Sequence, residues 1–517
     1  MKPFLRELKY DLPAGIVVFL VAVPLCLGIA LASEAPLISG IIAGIAGGIV
    51  VGIVSGSPLG VSGPAAGLTV IVAGAIASLG NSWETFLTAV VVAGIIQVIL
   101  GLLRLGTIAN YFPGSVITGM LTGIGLLIIF KQIPHAFGYD ADYEGDESFF
   151  QKDHENTFSE LLNMWSGVTP GAIIIFVVSV AIILLWEQPF IRKNKILQYL
   201  PGPLVAIITG IVLHYLYLQN LLPFYLNEEQ LVIIPESSSL SDFVARISTP
   251  DFSQLNNADV YKVAIIIAVV ASLETLLCVE ATDKLDPQKR KTPPNRELMA
   301  QGAGNIVSGL LGGLPVTQVI VRSSANITFG GRTKMSTILH GLFILICVIN
   351  IPHILNMIPY ATLAAILIMV GFKLARPVVF ANMYKAGVEQ FLPFIVTLGV
   401  MLFSDLLIGI SAGIVTALLF LLYHKLRGEK PTIETSADNE QYLIRLSGTI
   451  TFLHKAKIKR ILSAAESKRQ VIIQGNGTGK IHPDITEIIA DFRKQAASRA
   501  EIKISGIQFN NDKKNKH

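Results

Sequence analysis

Apolar runs close to the length of about 20 residues that a helix needs to cross a bilayer recur in this chain from Leu12 to Tyr423. They lie near 12–32, 36–54, 64–80, 84–103, 113–133, 168–187, 200–218, 260–281, 297–311, 320–330, 336–350, 358–373, 391–406 and 408–426. No water reaches the bilayer core to satisfy backbone N–H and C=O groups, so such runs must be helices packed into a bundle. Only 15% of the residues are charged, against about 25% in soluble globular proteins. Two runs, 64–80 and 320–330, are too short or start too late to span alone, and half-helices meeting near the midplane fit them.

Loop charges give a second test of this layout. Asp140, Asp142, Glu144, Asp146, Glu147, Asp153, Glu155 and Glu160 crowd one connection, with Lys152. The next carries Arg192, Lys193 and Lys195, and the one after has Arg246 as its only basic residue. Lys284, Lys289, Arg290, Lys291 and Arg296 follow, then Arg332 with Lys334, Lys373 with Arg376 and Lys385, and Lys425 with Arg427 and Lys430. Basic and basic-poor loops alternate, so the positive-inside rule predicts cytoplasmic termini and an outside acidic loop. The segment Met1 to Asp11 lacks a signal-peptide cleavage site, and the first run is expected to be a retained helix of an inner (plasma) membrane protein.

Beyond Lys430 the pattern changes to strand (442–451), helix (453–467), strand (471–474), helix (482–498) and strand (502–505), a small α/β domain. The expected organisation is a transmembrane domain over 1–428, the α/β domain over 429–509 and a disordered tail over 510–517.

Two stretches inside the apolar part carry chemistry. Gly56-Ser57-Pro58-Leu59-Gly60-Val61-Ser62-Gly63-Pro64-Ala65-Ala66-Gly67 and Gly312-Gly313-Leu314-Pro315-Val316-Thr317-Gln318-Val319-Ile320-Val321-Arg322-Ser323-Ser324-Ala325-Asn326 both read as a turn, a short extended piece and a helix start. A helix start exposes unsatisfied N–H groups and about half a positive charge, so two aimed at one point make an anion site. The substrate-binding residues expected from this are Gly63, Pro64, Ala65 and Ala66 at the first start, and Thr317, Val321, Arg322 and Ser323 at the second. Pro64 fits a first helical turn. Arg322 can grip an oxyanion with two parallel N–H bonds, and a structural ion pair inside the bundle, or snorkelling to an interface, is its bland alternative. Ser324, Gln318 and Asn326 are weaker candidates. The glycines of 40–52 read as packing residues. Glu274 lies in the middle of the 260–281 run, with Cys278 one turn on; a carboxylate there must be paired, cation-bound or protonated. Cys26, Cys278 and Cys347 lack any paired spacing, so no disulfide framework or zinc site is expected. The histidines look scattered near span ends and form no metal set. There is no Ser-His-Asp set, phosphate loop or HExxH, so no enzyme activity and no cofactor are expected beyond H⁺ or Na⁺ as a coupling ion. The net charge of +4 argues for no nucleic-acid partner.

These motifs, taken in order, resemble the SulP family of inorganic anion transporters. The resemblance rests on Asp11-Leu12-Pro13-Ala14-Gly15 followed by Ala22-Val23-Pro24, on Gly60 to Pro64, on Leu273-Glu274-Thr275-Leu276-Leu277, on Leu314 to Asn326, and on a tail that looks like a STAS domain. It implies fourteen membrane segments in a 7+7 inverted-repeat fold, core and gate subdomains, and often a homodimer. It also implies transport of sulfate or bicarbonate, with Glu274 and Cys278 matching the place where a coupling cation acts. An uncoupled exchanger or channel, and a nucleobase permease of the same fold, are the alternatives. In the tail, Pro483 stands where STAS domains commonly carry a phosphorylatable serine, so no phospho-switch is expected there.

Overall fold

A computed structural model of the chain describes residues 2–139, 157–189, 202–233, 247–404, 406–427, 431–437, 441–465, 470–475, 481–496 and 501–507. The acidic stretch from Asp140 to Glu155, the basic group at 192–195, Arg246, Lys430 and the tail 510–517 lie outside these residues. The chain divides into two compact units, Met1–Gly106 with Ile124–Ala375, and Thr107–Gly123 with Arg376–His517. The boundary expected near 428 thus falls inside the second unit.

The first unit opens with α1 (Lys2–Ala32), then α2 (Leu37–Val54), whose middle is a π-helical segment, Gly47–Val51. β1 (Ser62–Pro64), a single 3₁₀ turn at Ala66–Leu68 and α3 (Thr69–Ser78) follow, then α4 (Trp83–Leu102). α5 (Gly114–Phe137) starts in the second unit and ends in the first. α6 (Pro170–Trp186), α7 (Gly202–Leu218), α8 (Ala258–Leu285) and α9 (Pro294–Leu310) lead to β2 (Val316–Gln318). α10 (Ile320–Thr328), α11 (Met335–Asn350) and α12 (Tyr360–Leu374) complete the unit. Local chemistry marks several starts: the Ser82 hydroxyl accepts from Thr85 N–H, the Asn257 amide from Asp259 N–H, and Pro170 and Pro294 sit where a missing N–H is harmless.

A helix overlies each of the fourteen apolar runs. Among the described residues, six helices are long and apolar enough to cross a membrane by length and composition. α1 begins at Lys2, ten residues before the apolar run, and within it Asp11 is fully buried and anchored. Its carboxylate accepts the N–H of Arg332 at 2.7 Å, the N–H of Thr333 at 2.9 Å and the Thr333 hydroxyl. The Arg332 guanidinium lies 3.3 Å over the Tyr10 ring. The glycines of α2 are packing residues: a Cβ on Gly44 would lie 2.7 Å from Cys26 Sγ, and one on Gly48 2.5 Å from Gly341 Cα.

The second unit holds α13 (Pro377–Lys385), α14 (Val388–Phe403), α15 (Leu406–Arg427) and the α/β domain. That domain is β3 (Thr432–Ala437), β4 (Gln441–Ser447), α16 (Lys455–Ala465), β5 (Gln470–Gly475), α17 (Pro483–Ala496) and β6 (Glu501–Ser505). The sheet order is β3-β4-β5-β6, with β3 antiparallel to β4 and the other pairs parallel. Ile444, Leu446, Ile458, Leu462, Val471, Ile473, Ile485 and Ile489 form its core. The alternating order matches the sequence reading, which lacked β3. That edge strand reads Thr-Ile-Glu-Thr-Ser-Ala and carries too little hydrophobic alternation to announce itself. The domain meets α5 through buried charge: Gly114 N–H, at the first residue of α5, donates to Asp484 Oδ2 at 2.7 Å, and Lys455 Nζ reaches the Phe112 carbonyl at 2.8 Å.

Candidate anion site

β1 and β2 pair antiparallel, with Ser62 opposite Gln318, Gly63 opposite Thr317 and Pro64 opposite Val316. Every residue of both strands is buried. Because the strands are antiparallel, α3 and α10 leave the ladder in opposite directions and turn their N-termini back toward it. Pro64 is therefore not in a first helical turn, as its sequence context suggested. It sits in the ladder at a pair whose Val316 N–H and C=O point the other way, to the Asn305 side chain. A residue without an N–H fits that place. Ala65 is extended and buried, and the first turn begins at Ala66, where α3 is preceded by 3₁₀ backbone.

Arg322 is the third residue of α10 and 1% exposed. No ion pair among the described residues includes it, and its two terminal nitrogens have no hydrogen-bond partner there. No ion pair of the kind that is its bland alternative is formed by Arg322 among these residues. The guanidinium lies directly against Gly63: a Cβ at that residue would overlap Nη1 and stand 3.2 Å from Cζ. A buried guanidinium whose terminal nitrogens are unbonded is expensive, and a cation in the first turn of a helix opposes the dipole by about 0.3–1 kcal/mol. An anion seated between Arg322 and the two helix starts reverses both signs. Cys26 of α1 and His340 of α11 are its other neighbours. His340 is fully buried within α11, with Nδ1 3.3 Å from the Thr337 carbonyl. It is not at a span end, and only the fold reveals it.

Glu274 is 5% exposed in α8 and faces the other helix start: a Cβ on Gly67 would lie 3.1 Å from its Oε1. Cys278, one turn on, is 3% exposed. α8 also holds β2, for Thr275 Oγ1 accepts from Gln318 N–H at 3.3 Å and the Gln318 amide donates to Thr282 Oγ1 at 3.0 Å. The structure thus brings Gly63, Gly67, Arg322 and Glu274 to one crossing.

Not every predicted donor is available. The Ser323 hydroxyl gives its one hydrogen to the Val319 carbonyl at 2.7 Å and accepts from Val61 N–H at 2.9 Å. Ser324 donates to the Val321 carbonyl at 2.8 Å. Both expectations of a donor aimed at a ligand are corrected: Ser323 ties α10 to the approach to β1, and Ser324 bonds its own helix. Asn326, like Ser323, reaches the approach to β1, donating to the Leu59 carbonyl at 3.0 Å. Val321 is 9% exposed, and the Thr317 hydroxyl makes a long contact of 3.4 Å to the Gln318 carbonyl. No group of three or more His, Cys, Asp or Glu residues suited to a metal occurs among the described residues. Sequence reasoning passed over Gln97, Glu297, Gln301 and Asn305, all fully or almost fully buried. The four-residue spacing of the last three inside an apolar run was the signal.

Comparison with known proteins gives the family. The family model described as the sulfate permease family matches residues 8–397. YvdB of Bacillus subtilis (strain 168) is 27% identical over 418 residues, covering 81% of this chain and 74% of YvdB. The bicarbonate transporter BicA of Picosynechococcus is 24% identical over 454 residues, covering 86% of this chain and 75% of BicA. The solved transmembrane domain of a cyanobacterium BicA shares the fold with a TM-score of 0.54 at 23% identity, over 80% of this chain and 97% of that one. These relatives are transporters, not enzymes. A helical membrane bundle with two interrupted segments that meet at a buried arginine, matched by one family model over most of its length, makes this chain a member of the sulfate permease family.

Proposed function

We propose that the chain is a secondary active transporter of a small inorganic oxyanion, sulfate or bicarbonate, working by alternating access. The observation that carries this is the Arg322 guanidinium, buried at the start of α10 and against Gly63, with neither terminal nitrogen hydrogen-bonded among the described residues. The anion binds there with the starts of α3 and α10, and Glu274, with Cys278 nearby, takes up the coupling H⁺ or Na⁺ beside Gly67. The fourteen segments then form two inverted repeats, with both termini cytoplasmic in the plasma (inner) membrane, a STAS-like domain following α15, and a homodimeric assembly.

Flux of labelled sulfate and bicarbonate into proteoliposomes, under imposed pH and Na⁺ gradients, tests the reading. Arg322→Lys keeps the charge but loses the planar fork, and is expected to weaken anion affinity at least about tenfold, the worth of one charge-assisted hydrogen bond. Glu274→Gln is expected to abolish gradient-driven accumulation while exchange of anion for anion persists. Wild-type protein that moves neither anion would overturn the proposal. Accumulation that survives in Glu274→Gln would remove the coupling role and favour another carrier of the cation.

A further inference from the structure

Along one face of α9, Glu297, Gln301, Asn305 and Ser308 are 1%, 0%, 0% and 0% exposed. The first three are four residues apart, so their side chains stand one turn above another, about 6 Å apart along the axis. Each holds a different part of the crossing. Glu297 accepts from the Ser55 hydroxyl at 2.5 Å, in the turn that leads to β1. Gln301 donates to Glu297 at 2.9 Å and to Ser62 Oγ, in β1 itself, at 2.8 Å. Asn305 satisfies both backbone groups of Val316 in β2: its Nδ2 donates to the carbonyl at 3.0 Å, and its Oδ1 accepts the N–H at 2.5 Å. Ser308 donates to the Leu314 carbonyl at 2.7 Å, in the turn before β2. A side branch runs from Asn305 to Gln97 Oε1 at 2.6 Å, and from Gln97 to Ser272 at 3.2 Å, two residues before Glu274.

A ladder of three residues per strand is too short to hold its own register, since even longer two-stranded ribbons are marginal alone. We infer that Gln301 and Asn305 are positioning residues for anion binding: the α9 ladder fixes β1 against β2, and so fixes Gly63 against Arg322. Neither side chain needs to touch the anion. Asn305 is the strongest test, because an amide is both donor and acceptor, and Val316 uses both functions. An ionised carboxylate in its place still accepts the Val316 N–H but faces two acceptors, the Val316 carbonyl and Gln97 Oε1. Protonation restores one donor. The consequence depends on pH in a way that a plain packing defect does not.

This inference rests on the anion-transport reading, and the experiment separates the two. Sulfate binding and flux are measured for wild type, Asn305→Asp, Asn305→Ala and Gln301→Met in proteoliposomes at pH 7.5 and pH 5, each variant referred to wild type at the same pH. The expected result is a rise of about tenfold or more in sulfate KM for Asn305→Asp at the higher pH, with a change in maximal rate under about threefold, as for lost ground-state positioning. The gap to wild type should narrow at pH 5, where the introduced carboxyl takes up a proton. Asn305→Ala should show the defect at both pH values. An unchanged KM in monodisperse Asn305→Asp and Asn305→Ala overturns the inference, as does an Asn305→Asp defect indifferent to pH. Wild type that carries no oxyanion sinks the transport reading instead, and with it the link to affinity. The ladder itself is then read by hydrogen exchange at the Val316 amide, which should quicken at least about tenfold in Asn305→Ala, as expected for local opening once a bond is lost. Unchanged exchange there refutes the ladder whatever the substrate. If the alanine variant does not fold, the near-isosteric Asn305→Asp and the separate rung Gln301→Met still decide.

Discussion

Gly63→Ala is the most economical test of where the anion sits. Gly63 is absent from the residues with positive φ, so an alanine backbone is allowed there, and an alanine in a strand is about 0.5–1 kcal/mol better than glycine on entropy alone. The new methyl group nonetheless overlaps Arg322 Nη1 and lies 3.2 Å from Cζ and 3.8 Å from Nη2. Ordinary contact needs about 3.5–4.0 Å, so the guanidinium must withdraw by about 1 Å. A fork that grips an oxyanion with two parallel bonds cannot keep both after such a shift. One lost charge-assisted bond, about 1.5–3 kcal/mol, weakens Kd by roughly 10- to 150-fold. Folding and binding are thus pushed in opposite directions by one methyl group. The assay is equilibrium binding of labelled sulfate and bicarbonate to protein in nanodiscs, with thermal unfolding measured on the same samples. Gly74→Ala is the control, since a Cβ there meets no atom within 4 Å. A Gly63→Ala protein that binds with wild-type Kd and unfolds at the wild-type temperature would show that Arg322 does not hold the anion from this side.

Two further outcomes are expected at the ends of helices. Asp484→Ala removes both the acceptor for Gly114 N–H and the carboxylate 3.5 Å from Lys455; the second unit should lose about 2–4 kcal/mol, read as a lower unfolding temperature. Asp484→Asn, which still accepts from Gly114, should lose less. The Asp286 carboxyl is held below its ordinary value near 3.8: burial pushes it up, but Arg290 at 2.7 Å and the N–H groups of Gln288 and Arg290 outweigh that. A depressed carboxyl stabilises above its unfolded value and loses that contribution as pH falls through the folded one. Asp286→Asn should therefore lower the unfolding temperature at pH 7, with the gap to wild type closing below pH 3.8.

The sequence announces what lipid demands and hides what side chains arrange. The apolar runs map onto helices because a buried backbone leaves few alternatives. Both interrupted segments are visible for the same reason, since glycine and proline break a pattern that is otherwise continuous. Arg322 and Glu274 stand out as charges in apolar runs, and the fold brings both to the crossing. Pairing between the two segments, across some 250 residues of chain, is a tertiary fact and leaves no local mark. That is why Pro64 read as a helix start: proline is at home both in a first turn and at a strand position that makes no ladder bond. Ser323 looked like a ligand donor because composition cannot say which acceptor a hydroxyl finds. Asp11 had only motif value until its carboxylate met the backbone of Arg332 and Thr333.

In the proposed reading, charge balance at the crossing connects the substrate to the coupling ion. Each helix start contributes about half a positive charge and Arg322 one more, so the pocket offers about two positive charges before Glu274 is counted. With Glu274 ionised, about one remains, which a monoanion such as bicarbonate neutralises. A dianion would leave a net negative charge in a medium of low dielectric, where uncompensated charge is costly. With Glu274 protonated or paired with Na⁺, the pocket matches sulfate instead. Uptake of the dianion then requires the cation, while uptake of the monoanion does not, and coupling follows from electroneutrality without any mechanical linkage between the two sites. The same Glu274→Gln protein tests this charge balance in the flux assay: a pocket fixed in its neutralised state should favour sulfate over bicarbonate more than wild type does. A preference that moves the other way would mean that Glu274 does not share the anion's field, however near Gly67 it lies.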